Sequence, residues 1–175
     1  MASLTIAEVN KLDSEEFLEV FGNVVENCKL AAAAVWSHRP FRGVDHLNQT
    51  IAEFLDALPQ KGKEGVLRCH PDLAGRLAQA GQLTAESTQE QRSAGLDSLS
   101  QDELSTLTHL NQQYKVKFGF PFVICARLNK KDAILSGLTE RVKHSAEEET
   151  LAGVEEVKKI CRLRVADIVT SEAKL

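Results

Sequence analysis

Phe118-Gly119-Phe120-Pro121-Phe122-Val123-Ile124-Cys125-Ala126 decides between two architectures. It is the one apolar run without helical spacing, so it reads as a short strand or as a buried extended segment. No second run offers it an obvious strand partner, and the rest of the chain is patterned for helices. The expected fold is therefore all-α, a compact single-domain multi-helix bundle over residues 1–172. Gly119 and Pro121 disturb regular hydrogen bonding. The backbone N–H groups after Pro121 then become candidates for holding a ligand's carbonyl or carboxylate oxygens, and side chains of the same run can still pack in a core.

Outward from this run, helix signals dominate. Ser100-Gln101-Asp102-Glu103 is a capping box that opens a helix with Leu104, Leu107, Leu110 and Tyr114 inward. Asn129 is expected to cap a helix running to about Lys143. Ser145-Ala146-Glu147-Glu148 opens a long one to about Val169. Towards the N-terminus, Asp13-Ser14-Glu15-Glu16 caps a helix carrying Phe17, Leu18, Val20 and Phe21. Leu30 to Trp36 reads as a buried, alanine-rich helix stopped by Pro40. Residues 45–58 place Leu47, Ile51, Phe54, Leu55 and Leu58 at helical spacing before Pro59.

Composition narrows the function. The 175 residues suit one domain with a real core, and 43% hydrophobic with 26% charged residues is ordinary for a globular protein. Net charge is -4 with no basic run, which argues against a nucleic-acid surface. No apolar stretch is long enough for a membrane span, and the N-terminus lacks a secretory pattern. Cys28, Cys69, Cys125 and Cys161 form no C-x-x-C pair, so reduced thiols are expected. Ala173-Lys174-Leu175 follows the small-basic-Leu pattern of a peroxisomal address, a match that three residues can also reach by chance.

Besides the backbone after Pro121, three places can carry chemistry. In Arg68-Cys69-His70-Pro71-Asp72-Leu73-Ala74-Gly75, the proline pushes His70 out of the α region and is expected to be the first position of a helix. An imidazole on rigid backbone suits proton transfer; the alternative is a histidine that caps a turn. Beyond Thr84, a candidate cap, Ser87, Glu90, Gln91 and Ala94 share one helical face. That face is polar with no compensating apolar stripe: either a solvated surface or a face turned to a polar ligand. In the last helix, Leu151, Val154, Val157, Cys161, Val165 and Ile168 form an apolar face, with Arg164 at its edge. Such an arginine snorkels, forms a structural ion pair or binds an anion.

Other candidates are weaker. Trp36 and Phe41 flank His38 and are expected in the core, while His46, His109 and His144 read as surface. Glu147-Glu148-Glu149 suits the positive end of a helix dipole. Phosphate-loop, serine-hydrolase and zinc motifs are missing from the sequence.

Taken in order, H-P-D-L-A-G (70–75), S-x-x-E-Q (87–91), F-G-F-P-F-V-x-x-A-R (118–127) and E-V-K-K-I-x-x-L-R (156–164) resemble the 2-oxo-4-hydroxy-4-carboxy-5-ureidoimidazoline (OHCU) decarboxylases of urate breakdown. Trp36 to Phe41 also fits that family's W-x-x-R-P-F. The resemblance runs from Phe17 to Ile168. It implies an all-helical homodimer without metal or organic cofactor that converts OHCU to (S)-allantoin and CO2. It also implies a peroxisomal location and an import receptor that reads Ala173-Lys174-Leu175. By position, His70 matches the catalytic histidine and Arg164 the active-site arginine. Pro71, Ser87, Thr88, Gln89, Glu90, Gln91, Phe122, Val123, Ile124, Cys125 and Ala126 match substrate-contacting positions.

On that basis His70 is the expected general acid and Glu90 its partner, with Arg164 supplying positive charge. Two other readings compete. A non-catalytic helical adaptor would need a broad exposed apolar groove. A hydrolase on a related ring would consume water rather than release CO2.

Overall fold

The computed structural model describes residues 3–170. The described residues form ten α-helices and one 3-10 turn, and no named strand is among them. Within the 118–126 run the extended reading holds for the middle: Phe120, Pro121, Phe122, Val123 and Cys125 are buried in non-helical backbone, while Phe118 ends a helix and Ala126 begins the 3-10 turn. The expected tripeptide address at 173–175 lies outside the described residues.

The described residues divide into two compact units, one running up to Val66 and resuming at Lys158, the other Leu67–Val157. The first holds α1 (Ile6–Val9), α2 (Ser14–Phe21), α3 (Lys29–Trp36) and α4 (Val44–Ala57). The division falls within α5 (Gln60–Arg68) and within α10 (Ala146–Ile168). Asp13 caps α2 as expected, its carboxylate accepting from Glu15 and Glu16 N–H while Glu16 reaches back to the Asp13 N–H. α3 packs on both α2 and α4. Phe17 stacks on Phe21 at 4.5 Å and on Phe41 at 6.2 Å, and Leu47, Ile51 and Leu55 close the same core.

The W-x-x-R-P-F segment is a staple of this unit. Arg39 donates to the carbonyls of Trp36, Asn10 and Leu12 and stands 4.2 Å from the Trp36 ring. The Asn10 side chain pairs with both main-chain groups of Phe41.

The second unit holds α6 (Arg76–Gln79), α7 (Ala85–Ser93), α8 (Gln101–Phe118), the 3-10 turn Ala126–Leu128 and α9 (Lys131–Arg141), with the first half of α10. Its core is an aromatic cluster in which Tyr114 meets Phe118, Phe120 and Phe122 at 4.5, 6.0 and 5.5 Å. Gly119 ends α8 in the left-handed region, φ 77°, where a side chain would be strained. Gly153 lets α10 approach Leu67: a Cβ there would sit 2.8 Å from a Leu67 methyl.

Several expectations are corrected. Pro71 does not start a helix; residues 71–75 form a turn and α6 begins at Arg76. The side chains that fasten this turn, described below, occupy its main-chain groups. Asn129 caps nothing at its own helix; Lys130 precedes α9, and the Asn129 amide bonds back to Cys125 O. Leu104 and Leu110 are only half-buried and Leu151 is exposed, because α8 buries Asn111 and α10 buries Glu149 and Thr150 in their stead. α5, which carries two glycines and no apolar stripe before Val66, has no sequence signal that marks it.

Candidate active site

His70 follows the end of α5. Its N–H closes a turn onto Leu67 O at 3.1 Å, and the residue is 9% exposed. The turn behind it is heavily constrained. Ala74 takes φ 48°, its N–H donates to Gln91 Oε1 at 2.9 Å, and Leu73 O accepts from the Asn111 amide at 3.0 Å. A cleft of about 410 Å³ opens beside His70 and Pro71, lined also by Arg68, Arg76, Phe120 and Pro121. Lys115 and Asp72, paired at 3.1 Å, sit on its wall. Three cationic side chains against one carboxylate give this cleft the opposite charge to the whole chain.

α7 turns its polar face inward. Ser87, Gln91 and Ala94 are buried and Glu90 is half-buried; Thr88, Gln89 and Arg92 face solvent. The surface-helix reading of this segment is thereby excluded. Thr84 caps the helix through the Ser87 N–H. α7 packs on the 3-10 turn, and Ala94 O accepts from Lys131 N–H at 3.1 Å. Glu90 lies close enough to Cys125 to bear on its titration: burial first, with the charges of Glu156 and Glu90 adding, raises the thiol. The Cys125 N–H is itself engaged by Glu156 at 2.9 Å, so it is not among the donors left for a ligand.

Three of the four motifs thus meet within one unit. Gln91 joins the 70–75 turn to α7, and α7 packs on the 3-10 turn that closes the 118–127 motif. Arg164 belongs to the first unit. It is buried, and its Nη1 donates to Glu26 Oε2 and to Asn23 O, both at 2.7 Å. Of the roles open to it from the sequence, the ion pair is the one the structure shows.

Sequence reasoning missed Glu26, Tyr114 as a hydrogen-bond donor, Arg141, Glu149 and Glu156. Glu149 is wholly buried and accepts from Tyr114 Oη at 2.5 Å, Arg141 Nε at 2.8 Å and His144 Nδ1 at 2.9 Å. A signal for Glu149 and Glu156 existed: they stand seven residues apart, on one face of α10 with Gly153 between them. Among the described residues no group of three His, Cys, Asp or Glu side chains could hold a metal ion, and no helix is long and apolar enough to cross a membrane.

The family model for OHCU decarboxylase matches residues 10–166. The chain belongs to the OHCU decarboxylase family. A 2-oxo-4-hydroxy-4-carboxy-5-ureidoimidazoline decarboxylase from Amia calva is 52% identical over 170 residues, 97% of each chain. The crystal structure of (S)-allantoin synthase has a TM-score of 0.77 at 23% identity, covering 95% of this chain and 54% of that one. That of OHCU decarboxylase in the presence of (S)-allantoin has a TM-score of 0.67 at 22% identity, covering 89% and 97%. The last two likenesses concern the fold. In OHCU decarboxylase terms, the motifs that meet in the second unit are the histidine turn, the S-x-x-E-Q helix and the extended segment.

Proposed function

We propose that this chain decarboxylates OHCU to (S)-allantoin and CO2, without drawing on a metal or organic cofactor. The observation that carries the reading is the inverted face of α7. A helix whose buried side is Ser87, Glu90 and Gln91 has been given up as a hydrophobic element; it is bonded to the His70 turn and packs on the 3-10 turn Ala126–Leu128 that follows the extended segment.

The chemistry asks for little. Breaking the C–C bond leaves an electron pair that the conjugated ring of the substrate accepts, so the protein need not provide an electron sink. It must orient the carboxylate, stabilise charge moving into the ring and deliver one proton to one face. His70 is the proton donor. Glu90 fixes its tautomer or favours its charged form, and takes part in handling the substrate hydroxyl. Ser87 and Gln91, with Pro71 and main-chain groups of the segment 122–126, read the ureido and ring groups. Gln91 does so with its amide nitrogen, because its oxygen holds Ala74. Arg164 supplies charge that Glu26 partly balances. Donors aimed where charge develops accelerate the step more than a clamp on the departing carboxylate.

The same reading includes a homodimer and peroxisomal import through Ala173-Lys174-Leu175. Sedimentation tests the first. Loss of peroxisomal targeting on deletion of Leu175 tests the second.

The deciding experiment is circular dichroism of allantoin formed from freshly generated OHCU. Wild type is expected to give a fast, single-signed signal that His70→Ala abolishes. Only slow racemic product from wild type would overturn the enzyme reading. An undiminished signal from His70→Ala would move the proton donor elsewhere.

A further inference from the structure

We propose that Glu149, Arg141 and Glu156 are positioning residues that clamp the segment 122–126 from one side. Glu156 acts directly and Glu149 acts through Arg141. What the clamp does for the reaction rests on the decarboxylase reading above; the clamp itself rests on geometry.

Extended backbone outside a sheet has no ladder partner, and buried main-chain groups must still be satisfied. Here side chains supply the partners. Arg141 Nη1 donates to Val123 O at 2.7 Å, and its guanidinium lies 4.6 Å from the Phe122 ring. Glu156 Oε2 accepts from Cys125 N–H at 2.9 Å. Arg141 is in turn fixed by Glu149, which is also held by Tyr114 and His144.

Stability alone does not ask for this. Burying charges is costly, and apolar side chains of similar volume do as well or better in many cores. The charged groups give something an apolar contact lacks, a fixed direction for particular main-chain groups. In extended backbone successive residues turn their N–H and C=O to opposite sides. Val123 C=O and Cys125 N–H are both taken by the clamp, so the N–H and C=O of Ile124 are turned away from it. Within the decarboxylase reading that is the side from which a planar ureido group is held, and a fixed direction there presents one face of the substrate to the proton donor.

The test compares wild type, Glu156→Ala, Glu156→Gln and Glu149→Gln. Hydrogen exchange of the peptide spanning 122–126 is read together with KM, kcat and the enantiomeric purity of allantoin. Glu156→Ala is expected to speed exchange in that peptide on the order of tenfold, raise KM by about as much and lower enantiomeric purity. Glu156→Gln keeps an acceptor oxygen and is expected to rescue most of each effect. Ser100→Ala, which weakens a helix cap far from the segment, is expected to move none of them. Unchanged exchange in Glu156→Ala would overturn the clamp, whatever the activity. Faster exchange with unchanged KM and enantiomeric purity would overturn its role in the reaction. Absence of allantoin from wild type would sink the decarboxylase reading instead, and exchange would still decide the clamp. If Glu149→Gln fails to fold, the Glu156 pair decides alone.

Discussion

Ala74 adopts φ 48°, a conformation that costs an L-residue with a Cβ about 1 kcal/mol or more. Its N–H is held by Gln91 and the neighbouring carbonyl by Asn111, so two side chains from other helices impose the bend. Ala74→Gly is therefore expected to leave stability within about 0.5 kcal/mol, because relieved strain offsets the added freedom of the unfolded chain. Ala31→Gly, in α3, is expected to cost about 1 kcal/mol. Urea denaturation of both variants checks the contrast. Arg164 poses a sharper question. Its side chain and that of Glu26 are 4% and 1% exposed. Arg164→Met alone is expected to destabilise by about 3–5 kcal/mol, since it strands a buried carboxylate, and the double variant with Glu26→Met to recover much of that loss. If the recovered double variant is still inactive, the guanidinium acts on substrate. If activity returns with stability, its contribution is architectural. The sequence placed Arg164 at an apolar edge but had no way to name Glu26, which lies 138 residues away in the chain. A local pattern carries spacing along a helix, not the identity of a partner brought in by packing.

At the scale of elements, capping boxes were legible, while the lone cap expected at Asn129 does not form and the buried polar faces were not legible. Asp13, Ser100 and Ser145 signal their helices through contacts within four residues, and all three capping boxes form. Ser100→Ala is expected to lower stability by about 1 kcal/mol with KM unchanged, as thermal melts and steady-state rates would show. α7 could be read two ways, because a polar helical face looks the same whether it meets water or a ligand. What separates the readings is the pair of hydrogen bonds from Ala74 and Lys131, both made across gaps in sequence that periodicity does not span. Gln91→Leu is expected to strand the Ala74 N–H, cost about 1–3 kcal/mol and loosen the His70 turn. Its kcat should then fall further than that of Ser100→Ala at matched stability. A kcat equal to that of Ser100→Ala would mean the turn does not depend on Gln91. The Glu147–Glu149 run does open α10, as its charge suits, but the run alone does not say which glutamate is buried; Tyr114 and Arg141 pick out Glu149.

At the scale of the whole molecule, helix caps tie charge to stability. Glu8, Glu103 and Glu148 are held below the ordinary glutamate value of 4.5: Glu8 and Glu148 chiefly by the N–H groups they cap, Glu103 first by Lys131 and then by the Ser100 N–H. A carboxyl with a lowered folded-state pKa contributes stability that is present above its unfolded value and is lost as pH falls through the folded one. Stability is therefore expected to decline as pH drops below 4.5. Glu→Gln at these three positions should flatten that decline, read from denaturation midpoints across the acid range; an unaltered slope would exclude the caps as its source. Tyr114, raised by burial and then by its bond to Glu149, stays neutral throughout.

One feature bears on the order of assembly. α7 has Ala85 as its single apolar residue, so it offers a collapsing chain almost nothing to bury. It can settle only once the turn that carries Ala74 and the start of α9, at Lys131, are already in place to bond it. Most of the molecule would then be native before its proposed active centre exists, and refolding followed by activity should lag refolding followed by helix content.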